Sequence, residues 1–210
     1  MDVYDDLVRR YPDLISCAGE VRQAADLLKG VYRAGGKLLV CGNGGSAADS
    51  EHIVGELMKG YRLARKLPLE LRQRLEQAWP GQGDYLADHL QGALPAISLV
   101  SQTALMTAFM NDVDPAMVFA QQVYGYGRKG DAVLALSTSG SSPNVINALR
   151  VGRALGLRTL GMTGSSGGVM PAVCDVTIRV PFERTSDIQE RHFAIYHALC
   201  ADLEEEFFSL

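Results

Sequence analysis

KLLVCGNGGSAADSEH, residues 37–52, is the stretch on which the fold turns. Its first five residues form a short apolar run, which at that length reads as a buried strand. Gly42-Asn43-Gly44-Gly45 follows as a turn. Ser46 then reads as the N-cap of a helix running to about Lys59. Further apolar runs at 96–100, 132–136, 159–162 and 176–180 alternate with helical stretches at about 103–110, 114–126, 143–155 and 186–208. Strand and helix in alternation predict βαβ units. The expected fold is therefore α/β, a three-layer, doubly wound parallel sheet of about five strands with helices on both faces. Ligands of such sheets collect at the carboxyl ends of the strands.

Upstream, Leu14, Cys17, Val21, Ala24, Leu28 and Val31 repeat at spacings of three and four. This apolar stripe predicts an N-terminal helix over about 3–34, stopped by Gly35-Gly36. It is more continuous than one sheet face requires, so it also predicts a contact with a second copy of the chain. Residues 62–93 break the strand–helix rhythm and are too long for a simple connection. Leu67, Leu71 and Leu75, followed by Trp79-Pro80-Gly81, predict an inserted helical hairpin. Arg62, Arg65, Lys66, Arg72 and Arg74 give it a basic side, read as a solvated helix face. The insertion follows the 46–59 helix directly. It is thus either a lid at the mouth of a site built on that helix or a decoration that supports an oligomer. The whole chain, 1–210, reads as one domain.

With 210 residues, 47% of them apolar and 21% charged, the chain can bury a core without disulfides or metal. That composition excludes disordered and fibrous classes. A net charge of −4 argues against coating nucleic acid, which needs a basic face. Cys17, Cys41, Cys174 and Cys200 form no CxxC pair and read as small buried hydrophobes in a reducing compartment. The opening MDVYDDLVRRYPDL lacks the basic and apolar regions of a signal peptide, and no apolar run reaches membrane-spanning length. A cytoplasmic protein with neither a membrane nor a nucleic acid as partner is expected.

Two polar loops carry the chemistry. Asn43, Gly44, Gly45 and Ser46 open a helix after a strand, which sets backbone N–H groups and a positive helix end where an anion binds. The same residues fit a loose G-x-G-x-x-A dinucleotide pattern. The region where that pattern wants an acidic residue is instead the basic Tyr61–Lys66. Gly125–Gly130 repeats the spacing before a strand, the wrong context, and no G-x-x-x-x-G-K-[ST] loop exists. The second loop is Ser137-Thr138-Ser139-Gly140-Ser141-Ser142, followed by Pro143 at a helix start. Its hydroxyls and backbone donors suit three phosphate oxygens, and the bland alternative is a capped polar turn. On the helix after the first loop, His52 and Glu56 are four apart and share a face. Near the C-terminus Gln189, Phe193 and His197 share a stripe, while His89 in the insertion reads as a surface residue.

Taken together, GNGGSAADSEH (42–52), ALSTSGSSPNV (135–145), GMTGSSGG (161–168), IRVP (178–181) and IQERH (188–192) resemble the sugar isomerase (SIS) domain. More narrowly they resemble the phosphoheptose isomerase, or sedoheptulose 7-phosphate isomerase, family. The resemblance spans nearly all of the chain outside 62–93. It implies a homotetramer with active sites between subunits, acting on a sugar phosphate. It implies a phosphate held by Ser137, Thr138, Ser139 and Ser142, with Asn43 and Ser46 at the first loop and Asn111-Asp112 near the substrate. It places the catalytic glutamate at Glu56 and the catalytic histidine at His197. Relatives that bind Zn²⁺ do so through positions matching His52, Glu56, Gln189 and His197. Gln189 and His197 are eight residues apart, about 12 Å along a helix, so three ligands or a metal-free site stand as alternatives. Some members carry an acidic residue three before the glutamine, where this chain has Ser186 and a displaced Asp187.

Isomerising an aldose to a ketose moves a proton between neighbouring carbons through an enediol, with one carboxylate base and one acid that serves the two oxygens. Glu56 and His197 are the right types. A non-catalytic relative, like the tetrameric SIS partner of the bacterial replication initiator, would lack them. A phosphosugar-sensing domain would be joined to a DNA-binding module, and no segment is left over for one.

Overall fold

The computed structural model describes residues 2–209. Its strands are Leu38–Gly42 (β1), Ala96–Ser98 (β2), Ala132–Leu136 (β3), Arg158–Thr163 (β4) and Val176–Arg179 (β5). They form one parallel sheet in the order β2-β1-β3-β4-β5. The helices, in chain order, are Val3–Arg10 (α1), Ala18–Arg33 (α2), Gly45–Met58 (α3), Leu69–Ala78 (α4), Gly83–His89 (α5), Thr103–Asp112 (α6), Val118–Tyr126 (α7), Pro143–Ala154 (α8), Met170–Val173 (α9) and Thr185–Phe208 (α10).

Every residue of β1 and β3 is buried, because helices cover both faces of the sheet. That is why these strands read as unbroken apolar runs rather than alternating ones. Side chains along each strand still alternate between two cores. Leu38, Val40, Leu134, Leu136, Leu160 and Met162 meet α1, α2, α3 and α10. Leu39, Cys41, Val133 and Ala135 meet α7, α8 and α9 on the other side. This is the expected three-layer, doubly wound sheet. The four cysteines are free, with Cys174 less buried than the other three. No helix among the described residues is long and apolar enough to cross a membrane.

The single N-terminal helix expected over 3–34 is instead α1, a 3₁₀ segment Pro12–Cys17, and α2. Pro12 has no N–H to donate and pushes its predecessor out of the helical region, and Tyr11 accordingly sits at φ −130°, ψ 78°. The apolar spacing runs on unbroken through this turn, so periodicity alone concealed it. The stripe from Leu14 to Val31 lies wholly within the first core, so it offers no face to a second copy. The 114–126 helix likewise begins as a 3₁₀ turn, Pro115–Met117, with the Asp114 side chain accepting from the Ala116 N–H.

Within 62–93, α4 and α5 form the expected hairpin, tied by ion pairs from Arg72 to Asp84 and Asp88. Of its basic residues, Arg62, Lys66 and Arg74 are exposed as expected, but Arg65 is not. Arg72 holds the hairpin together, Arg62 lies over the Tyr61 ring, and Arg65 is buried. His89 is exposed, as expected, and its Nδ1 bonds the Tyr85 carbonyl.

His192 on α10 is fully buried, and neither ring nitrogen has a hydrogen-bond partner among the described residues. Burial pushes its pKa down to about 4. In the unfolded chain the ring titrates near 6.5, so between those values the unfolded state binds the extra proton. Stability is thus fully present above pH 6.5 and falls as the pH drops toward 4. Urea titrations should show His192→Phe losing about 3 kcal/mol less than the wild type between pH 7.5 and 4. Parallel pH profiles for the two proteins would exclude this source of acid sensitivity.

Candidate active site

β1 and β3 are hydrogen-bonded neighbours, and the chain leaves them in opposite directions, toward β2 and toward β4. A crevice therefore opens at their carboxyl ends. The Gly42–Ser46 loop into α3 and the Ser137–Ser142 loop into α8 both stand there. Asn43 and Asn144 exchange a reciprocal pair of amide hydrogen bonds, each 2.9 Å, that join the two loops. Neither α3 nor α8 has an acidic residue in its first turn, so no carboxylate competes with an anion at either helix end.

Ser46 is not the N-cap. That place belongs to Gly44, at φ 57°, ψ −122°, a conformation open essentially to glycine alone. Ser46 is buried two residues further in, as the second residue of α3. In the second loop the Ser137 hydroxyl lies 3.0 Å from that of Ser142 and 3.4 Å from that of Ser139. The Thr138 carbonyl accepts from the Gly164 N–H and the Thr163 hydroxyl. The β4 turn GMTGSSGG thus braces the serine loop from behind. Gly140, at φ 64°, fits only as glycine, since a Cβ would stand 2.2 Å from the Gly167 oxygen.

His52 and Glu56 share a face of α3, and His197 of α10 packs against them. Their ligating atoms all lie within 4.8 Å of one another. His52 Nε2 is 3.2 Å from Glu56 Oε1, and the His52 and His197 ring centroids are 4.9 Å apart. Each imidazole is oriented through its other nitrogen. His197 Nδ1 donates to the Phe193 carbonyl at 2.9 Å, and His52 Nδ1 lies 3.0 Å from the Tyr196 hydroxyl. Tyr196 also donates to Asp49, one turn before His52 on α3, at 3.3 Å. Burial holds the Tyr196 hydroxyl far above its ordinary pKa, so it stays protonated. Burial, reinforced by His52, holds His197 below the usual imidazole range, which leaves the ring neutral at pH 7. A cavity of about 190 Å³ opens beside His197, walled in part by Tyr61, Arg62, Phe193 and Arg10.

Two imidazoles and a carboxylate form a donor set suited to a divalent transition metal. Glu56 Oε2 is buried with no hydrogen-bond partner among the described residues, and Lys59 Nζ stands 3.9 Å from it as an ion-pair partner, so it can still bind an ion or take a proton. The oriented imidazoles match the outer contacts that metal-binding histidines make. The fourth expected ligand, Gln189, reaches the first loop, where a Cβ added at Gly45 would stand 2.5 Å from its Nε2. Asn111 and Asp112, at the exposed end of α6, bond to each other through Asn111 Nδ2 and Asp112 Oδ1 at 2.8 Å.

The SIS domain model matches residues 8–77 and 86–164. The phosphoheptose isomerase of Rhodospirillum rubrum is 39% identical over 189 residues, 90% of this chain and 87% of that protein. That of Akkermansia muciniphila is 37% identical over 195 residues, 93% of this chain and 89% of that one. The chain belongs to the SIS-domain phosphoheptose isomerase family. Its members are isomerases, and so is this protein. The solved phosphoheptose isomerase of Neisseria gonorrhoeae superposes with a TM-score of 0.75 at 30% identity, covering 96% of this chain and 95% of that one. That of Francisella tularensis gives 0.74 at 28%, covering 96% and 94%. The SIS match breaks over 78–85, which takes in the end of α4, the turn after it and the start of α5. The family position filled by Ser186 is exposed, and the neighbouring Asp187 is paired with Arg184 at 2.7 Å.

Sequence reading did not single out Tyr196, Asp49 or Glu204, and it placed Arg65 on a solvated face. Asp49 and Tyr196 left a faint signal, one lying three before His52 and the other next to His197. Arg65 and Glu204 left none, since a buried charge has no periodicity to betray it.

Proposed function

We propose that this isomerase interconverts sedoheptulose 7-phosphate and D-glycero-D-manno-heptose 7-phosphate. The observation that carries the proposal is Glu56, a half-buried carboxylate on the helix that starts at an anion-type loop, with one buried oxygen free of hydrogen bonds and two oriented imidazoles, His52 and His197, against it. The serine loop and the α8 N-terminus hold the phosphate, and that binding orients the carbons to be deprotonated. Glu56 takes the proton from the carbon beside the carbonyl. His197, neutral and with Nδ1 already occupied, uses Nε2 to exchange a proton with the substrate oxygens as the enediol forms. Glu56 returns its proton to the neighbouring carbon. No redox partner is needed, because the oxidised and reduced carbons lie in one molecule.

His52, Glu56, His197 and Gln189 are the residues that would hold Zn²⁺; with His197 Nε2 so engaged, the ion's Lewis acidity would serve the sugar oxygens in place of that proton exchange. The family resemblance also supports a homotetramer. Leu105, Met110 and Val113, on and beside α6, are exposed apolar residues close in the chain to Asn111 and Asp112, where a second copy would complete the site. The presence of both Glu56 and His197 counts against a non-catalytic SIS role.

The test is a direct assay of sedoheptulose 7-phosphate against pentose and hexose phosphates, with and without a chelator. The expected outcome is a kcat/KM at least about tenfold higher for the seven-carbon ester, and loss of rate on chelation that added Zn²⁺ restores. Equal rates on all three classes would refute the substrate assignment. A chelator-resistant rate would refute the metal.

A further inference from the structure

Among the described residues, Arg65 and Glu204 are the most deeply buried ion pair, with both side chains 0% exposed and Arg65 Nε 2.8 Å from Glu204 Oε1. The guanidinium donates its other two nitrogens to the end of α3, Nη1 to the Leu57 carbonyl at 2.6 Å and Nη2 to the Glu56 carbonyl at 2.8 Å. These are two of the carbonyls that a helix C-terminus leaves without intrahelical partners. The Phe208 ring closes over the guanidinium, with its centroid 4.6 Å from Cζ. Glu204 in turn accepts the N–H groups of Tyr61, Arg62 and Leu63 at 2.7, 2.7 and 3.1 Å. Burial alone would raise its pKa, but the Tyr61 and Arg62 N–H groups and the guanidinium outweigh burial and keep the carboxyl ionised.

One guanidinium thus joins the backbone of Glu56 itself to α10, the helix that carries His197. Glu204 lies seven residues after His197, two turns along the same face. An apolar pair of the same volume would leave those two carbonyls and three N–H groups without partners, so the pair holds backbone as well as charge in place. A fork with a fixed geometry is what an apolar pair cannot supply. We propose that Arg65 and Glu204 are positioning residues that set the distance between the Glu56 carboxylate and the His197 ring. The proposal rests on reading those two groups as base and acid. It moves Arg65 from the solvated face of an insertion to the support of the active site.

Two variants test it. Arg65→Lys keeps the charge and loses the fork. The double variant Arg65→Met, Glu204→Leu removes both charges and keeps the volume. In each, kcat is expected to fall about 10- to 100-fold, the size of loss a displacement of about 1 Å produces, with KM for the phosphate ester changed less than about threefold. The KM holds because the phosphate loops belong to β1 and β3. A folded double variant with wild-type kcat would overturn the proposal, and so would a rise in KM at constant kcat. A crystal structure of the double variant supplies a readout independent of turnover. Separation of the Glu56 carboxylate from the His197 ring is expected, and wild-type spacing would overturn the proposal. Should the wild type isomerise no sugar phosphate, the functional reading fails and the crystal structure decides the positioning role alone.

Discussion

Glu56→Gln is expected to lower kcat by about 10²- to 10⁴-fold, the usual contribution of a general base, while a phosphate ester still binds with near wild-type affinity. Glutamine has the same shape as glutamate and keeps an oxygen toward His52 Nε2, 3.2 Å from Glu56 Oε1 in the wild type. What it loses is the ability to accept a proton at Oε2, the buried oxygen without a hydrogen-bond partner among the described residues. Steady-state kinetics with calorimetry of a non-reacting phosphate ester separate the two effects. A variant that keeps most of its turnover would remove Glu56 from the role of base.

The second large effect lies at the other end of the substrate. Ser139→Ala with Ser142→Ala removes two hydroxyls from a cluster that Ser137 holds within 3.4 Å. Hydrogen bonds to a charged group contribute about 1.5–3 kcal/mol each, so kcat/KM should fall about 10²- to 10⁴-fold. Most of that loss is expected in KM, because the phosphate is bound equally in ground and transition states. The fold should survive, since Gly140 and the β4 turn set the loop's path through backbone contacts. The decisive control is a melting curve. Unchanged kinetics in a protein of wild-type melting temperature would reduce the loop to a capped turn.

What could be read from the residues follows from how each feature is encoded. The five strands are short apolar runs between glycine-rich turns, and a sheet covered on both faces leaves that pattern in any order of strands. The two loops were visible because strand, glycine or serine cluster, and helix are consecutive in the chain. His52 and Glu56 were visible because helical spacing is local. The break at Pro12 was hidden, because the apolar stripe continues across a turn that a proline imposes through sterics. Ser46 was taken for a cap on its chemistry, while the backbone assigned that place to Gly44 through a positive φ. Arg65 and Glu204 stand 139 residues apart and meet only once α3 and α10 have packed. Nothing local to either residue distinguishes it from a surface charge. The same holds for the approach of His197 to His52, which the family resemblance implied and spacing could not.

The central claim is that Glu56 moves a proton between carbons of a bound sugar phosphate, and solvent exchange tests it most directly. Sedoheptulose 7-phosphate is incubated in D₂O with the wild type and with Glu56→Gln, and the hydrogens on C1 are followed by proton NMR. The account predicts that deuterium enters C1 with the wild type, on the timescale of turnover, and does not enter with the variant, although the ester is still bound. Exchange at the wild-type rate with Glu56→Gln would contradict it.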